Sequence, residues 1–192
     1  INEGIINIYK HIKRDLGAFC ILMDKYSAEF LPLSKPDRKE YYYNLRGENA
    51  WDYQKWSSLE QSAVLYFLMK TGFNGIWQIN KNTNNRYGTP SGLLNQKDKV
   101  YDKENLEQWN HILNATDSVI TSYDWKEIPM GDFTFYDPPY RDSFANYNTS
   151  FPDSETEELI RRVENGNQVW LCNRDSDDGF FDNHKMTVYR FP

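Results

Sequence analysis

The spacing of apolar residues predicts helices over the first half of the chain. Apolar residues at positions 5, 6, 8, 9, 12 and 16 follow a helical period and predict a first helix that runs to about Gly17. A second apolar stretch predicts another helix over residues 18–30. Residues 37–49 are charged and rich in tyrosine at helical spacing, and we interpret them as a helix with one half-buried face.

The clearest helix signal begins after Ser57. Ser57 or Ser58 can cap the start, Glu60 stands in the first turn, and an apolar face then continues to about Gly72. A further helix is predicted over residues 102–115. Its predicted apolar face consists of Leu106, Trp109, Ile112 and Leu113.

Short apolar or alternating runs predict strands between and after these helices. Residues 76–80 alternate like a strand, residues 82–85 form a turn cluster, and residues 86–90 are the expected return strand of a hairpin. Four more strands are predicted in the second half of the chain, and those around positions 135 and 170 are expected to be buried. They comprise residues 118–122, 133–136, 168–172 and 187–191.

Two consecutive prolines end the strand at 133–136 and leave Asp137 and Tyr140 beyond it. Pro139 favours an extended Pro138, and neither residue has an amide hydrogen, so the main-chain carbonyls here are acceptors with set directions. Ligands of open α/β sheets bind outside the carboxyl ends of the strands. A strand that ends in a proline turn without any function is the alternative. We interpret the Asp137–Tyr140 turn as a candidate active site.

Charge is distributed unevenly along the chain. The formal net charge of −6 argues mildly against a DNA-binding protein, because contacts to phosphate need Lys and Arg. However, Asp98 is the only acid between residues 70 and 99, whereas residues 132–182 are strongly acidic. A chain with one basic region can still bind DNA. Aromatic residues make up 16% of the chain, which suits stacking on bases although packing explains most aromatic residues.

Cysteine and histidine are too few and too scattered to indicate a metal site. Cys20 and Cys172 both lie in apolar runs and are expected to be buried thiols, and the three histidines have no ligand spacing. No apolar stretch reaches membrane-spanning length and no signal peptide is recognisable, so we expect a cytoplasmic protein without a metal or a membrane partner.

Two separate motifs resemble those of one enzyme family. Asp137-Pro138-Pro139-Tyr140 resembles the catalytic motif of N6-adenine DNA methyltransferases. Residues 65–76, which contain Phe73-Asn74-Gly75, and residues 88–92 resemble the segment that opens the target-recognition region of the Dam-like members. Residues 1–9 and 42–49 are similar to two further segments of that family. Together the matches extend over most of the chain.

The resemblance implies an α/β fold, namely a partial Rossmann-like methyltransferase sheet with an inserted, mainly helical target-recognition subdomain that carries a β-hairpin. Residues 1–34 and 98–192 would form the catalytic core, and residues 35–97 the DNA-binding insertion. The implied reaction is site-specific transfer of a methyl group from S-adenosylmethionine to N6 of adenine in double-stranded DNA, as in Dam or restriction-modification systems. The implied setting is the cytoplasm, with a bacterial or phage gene.

The resemblance also implies a role for individual residues. Asp137 and Pro138 would accept hydrogen bonds from the target amine, Pro139 would hold the turn, and Tyr140 would stack on the flipped base. The cofactor's adenosyl group would contact Tyr123, Asp124, Trp125 and Asp137. The DNA-binding residues would be Phe73, Asn74, Gly75, Ile76, Gln78, Lys81, Arg86 and Pro90.

Two departures from the family pattern concern sequence preference. The family often has arginine at the position of Gln78 and at the position of Leu93. Arginine is the commonest reader of guanine, whereas glutamine pairs with adenine edges. The GATC preference of well-known relatives is therefore not expected here.

The start of the chain bears on activity. The chain begins with Ile1, and the helix predicted there has no strand before it, so we expect a truncated amino terminus. The family's Phe-x-Gly-x-Gly turn, which forms much of the cofactor pocket, would lie upstream. A DNA-binding fragment or an inactive remnant is therefore one alternative. Another is a methyltransferase that acts on protein glutamine or on RNA, although such enzymes typically carry Asn at the position of Asp137 and lack the hairpin.

Overall fold

Six α-helices and four short strands make up the part of the chain that the structure describes. The structure is a computed structural model, and it describes residues 3–47, 56–80, 86–92, 95, 98–142 and 151–191, without the side chains of Asn80 and Arg86. The chain divides into two compact units, Ile1–Tyr123 and Asp124–Pro192. The combination of helices with a parallel strand pair confirms the predicted α/β class.

The first unit is mainly helical. Asp15 separates the first two helices with a non-helical backbone, at φ −130° and ψ 30°, so the first helix ends before the predicted Gly17. The side chains of Asn110 and Asn114 donate hydrogen bonds to the Lys13 carbonyl at this break. The helices are α1 (Glu3–Arg14), α2 (Leu16–Phe30), α3 (Lys35–Arg46), α4 (Ser58–Thr71) and α5 (Lys103–Ala115).

Helix α4 lies at the centre of the first unit. Its predicted cap is confirmed, because Ser57 Oγ accepts from the Glu60 N–H while the Glu60 carboxylate accepts from the Ser57 N–H. Phe67 on α4 is fully buried, and its ring centroid lies 5.3 Å from that of Phe30 and 5.9 Å from that of Tyr41. Burial of one such side chain contributes about 1.5–3 kcal/mol, so aromatic packing dominates this unit.

The apolar face predicted for α5 is partly wrong. Leu106 and Leu113 are buried, whereas Trp109 and Ile112 are largely exposed. The helical period placed the four residues on one stripe, but only the edge of that stripe with Leu106 and Leu113 is buried. The Trp109 ring instead contacts the edge of Tyr9 on α1, with 6.1 Å between centroids.

The predicted hairpin of the first unit is confirmed in part. Its strands are β1 (Ile79–Asn80) and β2 (Arg86–Tyr87), which pair antiparallel and are shorter than the predicted runs. The turn cluster at 82–85 lies outside the described residues. An isolated bridge between Gly72 and Ser91 closes the base of the hairpin.

The second unit contains a parallel strand pair and one helix. Strands β3 (Thr134–Tyr136) and β4 (Val169–Leu171) pair with Phe135 opposite Trp170, and helix α6 (Asp153–Asn165) packs against β4. The prediction that both strands are buried is wrong. Phe135 is 57% exposed and Trp170 is 55% exposed, because the described residues leave this face of the pair largely uncovered.

The prediction of two further strands is wrong. Residues 118–122 and 187–191 have no strand conformation, and neither run finds a neighbouring strand within the described residues. The Ser118 carbonyl accepts instead from the Lys13 ammonium at 2.7 Å. Tyr189 stacks on Trp170 with 6.2 Å between centroids, which is a side-chain contact and not a sheet ladder. An apolar run forms a strand only where a partner supplies the ladder.

Candidate functional site

The candidate active-site turn follows β3 directly. The Cys172 N–H donates to the Tyr136 carbonyl at 2.9 Å and extends the parallel ladder by one step beyond β4. The two prolines are half-buried, while the Asp137 carboxylate and the Tyr140 ring are exposed. The turn therefore presents one carboxylate and one aromatic ring at the carboxyl end of a strand, as the sequence predicted.

The Tyr140 hydroxyl is tethered to the end of β4. Its oxygen lies 3.3 Å from Cys172 Sγ. The pKa of the Tyr140 phenol is raised above its usual value, because its hydroxyl hydrogen-bonds to Cys172 and to the Asp137 carboxylate. The phenol therefore stays neutral at physiological pH. Cys172 is only half-buried, which corrects the prediction of a buried thiol, whereas Cys20 is buried as predicted.

Arg141, which the sequence reasoning did not single out, follows the turn and is only 7% exposed. Its guanidinium donates to Asp153 at 2.9 Å and to Asp178 at 2.8 Å, and it lies 3.7 Å from the centroid of the Phe180 ring. These hydrogen bonds lower the pKa of both carboxyls. Helix α6 has no side-chain cap, and Asp153 in its first turn pairs with Arg141.

Asn173 also escaped the sequence reasoning. Its Oδ1 accepts from the N–H of Arg141 at 2.9 Å and from the N–H of Arg174 at 2.8 Å. Its Nδ2 is buried and has no hydrogen-bond partner among the described residues. A signal for Asn173 existed, because it directly follows the predicted strand 168–172, just as Asp137 directly follows the predicted strand 133–136.

The three residues predicted to contact an adenosyl group lie in a row. Tyr123 ends the first unit and is exposed, and Asp124 opens the second unit, where its carboxylate accepts from the Lys126 N–H at 2.9 Å. The Trp125 ring lies against the guanidinium of Arg162, 4.7 Å from the ring centroid. The Asp124 carboxylate is exposed, whereas part of the Trp125 ring is covered by the Arg162 guanidinium.

The predicted DNA-binding segment begins with a tight turn after α4. Phe73–Gly75 form one turn of 3₁₀ helix in which Asn74 has φ 50° and Gly75 has φ 64°. Gly75 takes this conformation without the steric cost that a side chain would add. Phe73 and Ile76 project from the turn with 41% and 47% of their surface exposed, and Gln78 is exposed directly before β1.

Thr89 fixes the base of the hairpin. Its hydroxyl donates to the Ile76 carbonyl at 2.8 Å and accepts from the Gln78 N–H at 3.1 Å, so both strands are tied together. Its carbonyl accepts from the Tyr42 hydroxyl at 2.9 Å and from the Arg46 guanidinium at 2.7 Å. The predicted tyrosine-rich helix α3 therefore positions the hairpin.

Close backbone contact continues on the return side of the hairpin. A side chain at Gly92 would stand 2.7 Å from the Gly72 carbonyl oxygen, so only glycine fits there. Pro90 is exposed, and its carbonyl accepts from the Phe73 N–H at 2.9 Å. Lys81 and the side chain of Arg86, both predicted to contact DNA, lie outside the described residues.

Comparison with known proteins identifies the family. The sequence model of the D12 class N6 adenine-specific DNA methyltransferases matches residues 1–186. The chain belongs to this family. The predicted resemblance is thereby confirmed, and the matched residues include the Asp137–Tyr140 turn.

Individual D12 class relatives are similar to the chain at low identity. The type II methyltransferase M.MjaIII of Methanocaldococcus jannaschii is 27% identical over 77% of the chain and 52% of its own length. The type II methyltransferase M1.LlaDCHI of Lactococcus lactis subsp. cremoris is 30% identical over 72% of the chain and 47% of its own length. The retron Ec67 DNA adenine methylase of Escherichia coli is 25% identical over 92% of the chain and 60% of its own length. The chain spans about half the length of the curated relatives it matches.

Two further findings bear on what this D12 class chain binds. Within the described ranges, no group of three or more His, Cys, Asp or Glu side chains could hold a metal ion. Among the helices described, none combines the length and the apolar character that crossing a membrane requires.

Proposed function

We propose that the protein containing this chain transfers a methyl group from S-adenosylmethionine to N6 of adenine in double-stranded DNA. The observation that carries the proposal is the exposed Asp137–Tyr140 turn at the carboxyl end of β3, in a chain of the D12 class. The relatives named above are type II methyltransferases and a DNA adenine methylase.

Asp137 and Pro138 act on the target amine. The N6 lone pair of adenine is delocalised into the ring, which makes the amine a poor nucleophile. The Asp137 carboxylate and the Pro138 carbonyl accept hydrogen bonds from its two hydrogens and favour the tetrahedral form, in which the lone pair is available. The proton that N6 loses on methylation passes to the Asp137 carboxylate and then to solvent. The rate enhancement arises mainly from alignment and fixed dipoles.

S-adenosylmethionine, when bound, supplies the activated methyl group. The residues present fit an adenosyl ligand, because Asp124 and Asp137 are exposed carboxylates that would accept hydrogen bonds from its amino, ammonium and hydroxyl donors, and Tyr123 offers an exposed ring. Trp125 contributes the part of its ring that Arg162 does not contact.

Tyr140 and the hairpin bind the DNA. The target base must leave the stack to be methylated, and Tyr140 offers it an exposed ring tethered at Cys172. The segment from Phe73 to Gln78, with Lys81, Arg86 and Pro90, contacts the duplex. In the proposed arrangement, residues 35–97 form a recognition insertion in a Rossmann-like core made of residues 1–34 and 98–192, within a cytoplasmic protein.

The decisive test is detection of the product. The full-length gene product is incubated with S-adenosylmethionine and, separately, with plasmid DNA, total RNA and a glutamine-containing peptide, and the hydrolysates are analysed by mass spectrometry. We expect N6-methyldeoxyadenosine in the DNA sample. Methylation confined to RNA or peptide would replace the proposal with one of those substrates. DNA binding without any methylation would identify a DNA-binding remnant.

A further inference from the structure

The end of β4 holds the active-site turn at both ends. Cys172 binds the near end, where its N–H donates to the Tyr136 carbonyl at 2.9 Å. Asn173 binds the far end, where its Oδ1 accepts from the Arg141 N–H at 2.9 Å. The four residues Asp137–Tyr140 therefore lie between two hydrogen bonds to adjacent residues of one strand end.

The side chain of Arg141 ties the far end to two more segments. It reaches Asp153 in the first turn of α6 and Asp178 in the segment after β4. The guanidinium is buried, binds two carboxylates and lies against the Phe180 ring, so it is not placed to contact a phosphate. Its planar fork suits two carboxylates at once, which a lysine ammonium does not reproduce.

Asn173 acts on the turn through its acceptor. Its Oδ1 accepts from the Arg141 N–H and from the Arg174 N–H, while its buried Nδ2 has no partner among the described residues. The contact with the turn is therefore made by Oδ1 alone. A substitution that keeps an acceptor at position 173 separates this contact from the rest of the side chain.

We propose that Asn173 and Arg141 are positioning residues that hold the acceptors of the Asp137–Tyr140 turn in the geometry of methyl transfer. This inference rests on the proposed function. Neither residue touches the substrate. They act because the reaction depends on the alignment of the Asp137 carboxylate and the Pro138 carbonyl, and a misplacement of about 1 Å can cost about 100-fold in rate.

The kinetic test uses the full-length protein and four variants. Asn173→Ala and Arg141→Lys are expected to lower kcat by about 10- to 100-fold, where kcat is the rate per enzyme molecule able to bind the cofactor. The Kd for DNA is expected to stay within about threefold of wild type. Asn173→Asp keeps the acceptor and is expected to recover most of the loss. Arg190→Lys is the matched control, because Arg190 also binds two carboxylates, Asp175 and Asp182, but is remote in sequence from the turn. An equal loss in Arg190→Lys would overturn the assignment.

The second readout does not depend on activity. Amide hydrogen exchange of the Arg141 N–H is expected to accelerate by at least about tenfold in Asn173→Ala and to stay unchanged in Arg190→Lys. Faster exchange with an unaltered kcat would overturn the positioning role, as would a lower kcat with unaltered exchange. If the wild-type protein methylates no DNA, the proposed function and the positioning role of these residues in methyl transfer both fail, while the exchange result still decides whether Asn173 holds the turn.

Discussion

The two units of the chain are stabilised in different ways. The first unit surrounds Phe67 with the rings of Tyr26, Phe30 and Tyr41, all 5.3–5.9 Å away between centroids. The second unit has a thin strand pair with one exposed apolar face, and its segments are joined by cations that each bind two carboxylates. These cations are Lys126, Arg141 and Arg190.

This difference bears on how each unit works. Apolar packing is not weakened by the screening of charges. In the first unit it supports the hairpin and the exposed ring of Phe73 that precedes it. Ion pairs fix direction as well as distance, which suits a turn whose acceptors must point at one amine. These pairs occupy three of the seven Lys and Arg residues of the second unit, which is acidic in sequence. We therefore expect the contacts to DNA phosphates to come mainly from the first unit, where the sequence is basic between residues 70 and 99.

The largest effect is expected from the core of the first unit. Phe67→Ala should lower the free energy of unfolding by about 3–5 kcal/mol, because it removes a fully buried ring that contacts three others. Urea unfolding followed by circular dichroism measures the change. Ile21→Ala on α2 is the control, since Ile21 is exposed and its truncation should cost less than about 0.5 kcal/mol. Equal effects of the two variants would contradict the assigned core.

The second prediction separates catalysis from stability in the second unit. Asp137→Ala in the full-length protein should lower methyl transfer by about 100-fold or more, because it removes an acceptor for the target amine. DNA affinity should stay within a few-fold, since Asp137 does not contact phosphate. The exposed Asp132 provides the control variant Asp132→Ala. Turnover within about tenfold of wild type, or ~1.4 kcal/mol of barrier, would exclude the catalytic role.

The third prediction concerns the ring at the end of the turn. Tyr140→Phe and Tyr140→Trp should keep much of the activity, because base stacking needs only an aromatic face, whereas Tyr140→Leu should lose about 1–3 kcal/mol. Methylation kinetics with matched DNA measure the three variants. The Phe variant also removes the hydroxyl contact with Cys172 and so serves as the control for the tether. If Leu and Phe behave alike, the stacking role is wrong.

Local signals made part of the structure predictable. The Ser57 to Glu60 spacing predicted the capping box of α4, since a cap depends on residues within one turn. The run before Pro138 predicted β3 and the turn that follows it, because proline limits the backbone wherever it occurs. The family resemblance was visible for the same reason, as both of its motifs are continuous segments.

Contacts between distant positions were not predictable in this way. Arg141 pairs with carboxylates 12 and 37 positions away, in a stretch with many acids to choose from. Asn173 owes its role to a backbone N–H that any residue except proline would supply at position 141. Residues 118–122 and 187–191 have the composition of strands, yet strand formation depends on a neighbour that a local pattern does not specify.

The fourth prediction tests whether the hairpin of the first unit sets the sequence preference. Gln78 is exposed directly before β1, its N–H donates to the Thr89 hydroxyl, and we propose that its side chain contacts a base edge. Gln78→Arg should shift the preference at one base pair towards guanine by about 1–3 kcal/mol. Lys81→Ala is the matched comparison and should weaken binding to all sequences while flattening the salt dependence. Methylation of a randomised DNA pool by the full-length protein measures the change. If Gln78→Arg keeps its activity and its sequence preference is unchanged, Gln78 does not contribute to base recognition.

The smallest effect is expected from acid, and it distinguishes the two units directly. The pKa values of Asp153 and Asp178 are lowered by their hydrogen bonds to Arg141. Their contribution to stability is therefore complete above the unfolded-state pKa of about 3.9 and is lost as the pH falls through the lower folded-state values. In the first unit, the pKa of Glu60 is lowered in the same direction by its bonds to Ser57, but Phe30 and Phe67 at the centre of the core carry no titratable group.

Below about pH 4, amide exchange should therefore accelerate at Arg141 and in the first turn of α6 before it does so in the middle of α4. The absolute effect is small because both carboxyls are well exposed, and exposed ion pairs contribute little. An Asp153→Asn, Asp178→Asn double variant should lose the difference in pH dependence between the two units, since amide side chains do not titrate. If α4 loses protection first in the wild-type chain, ion pairing is not what distinguishes the second unit, and its strand pair must be held by the packing of α6 instead.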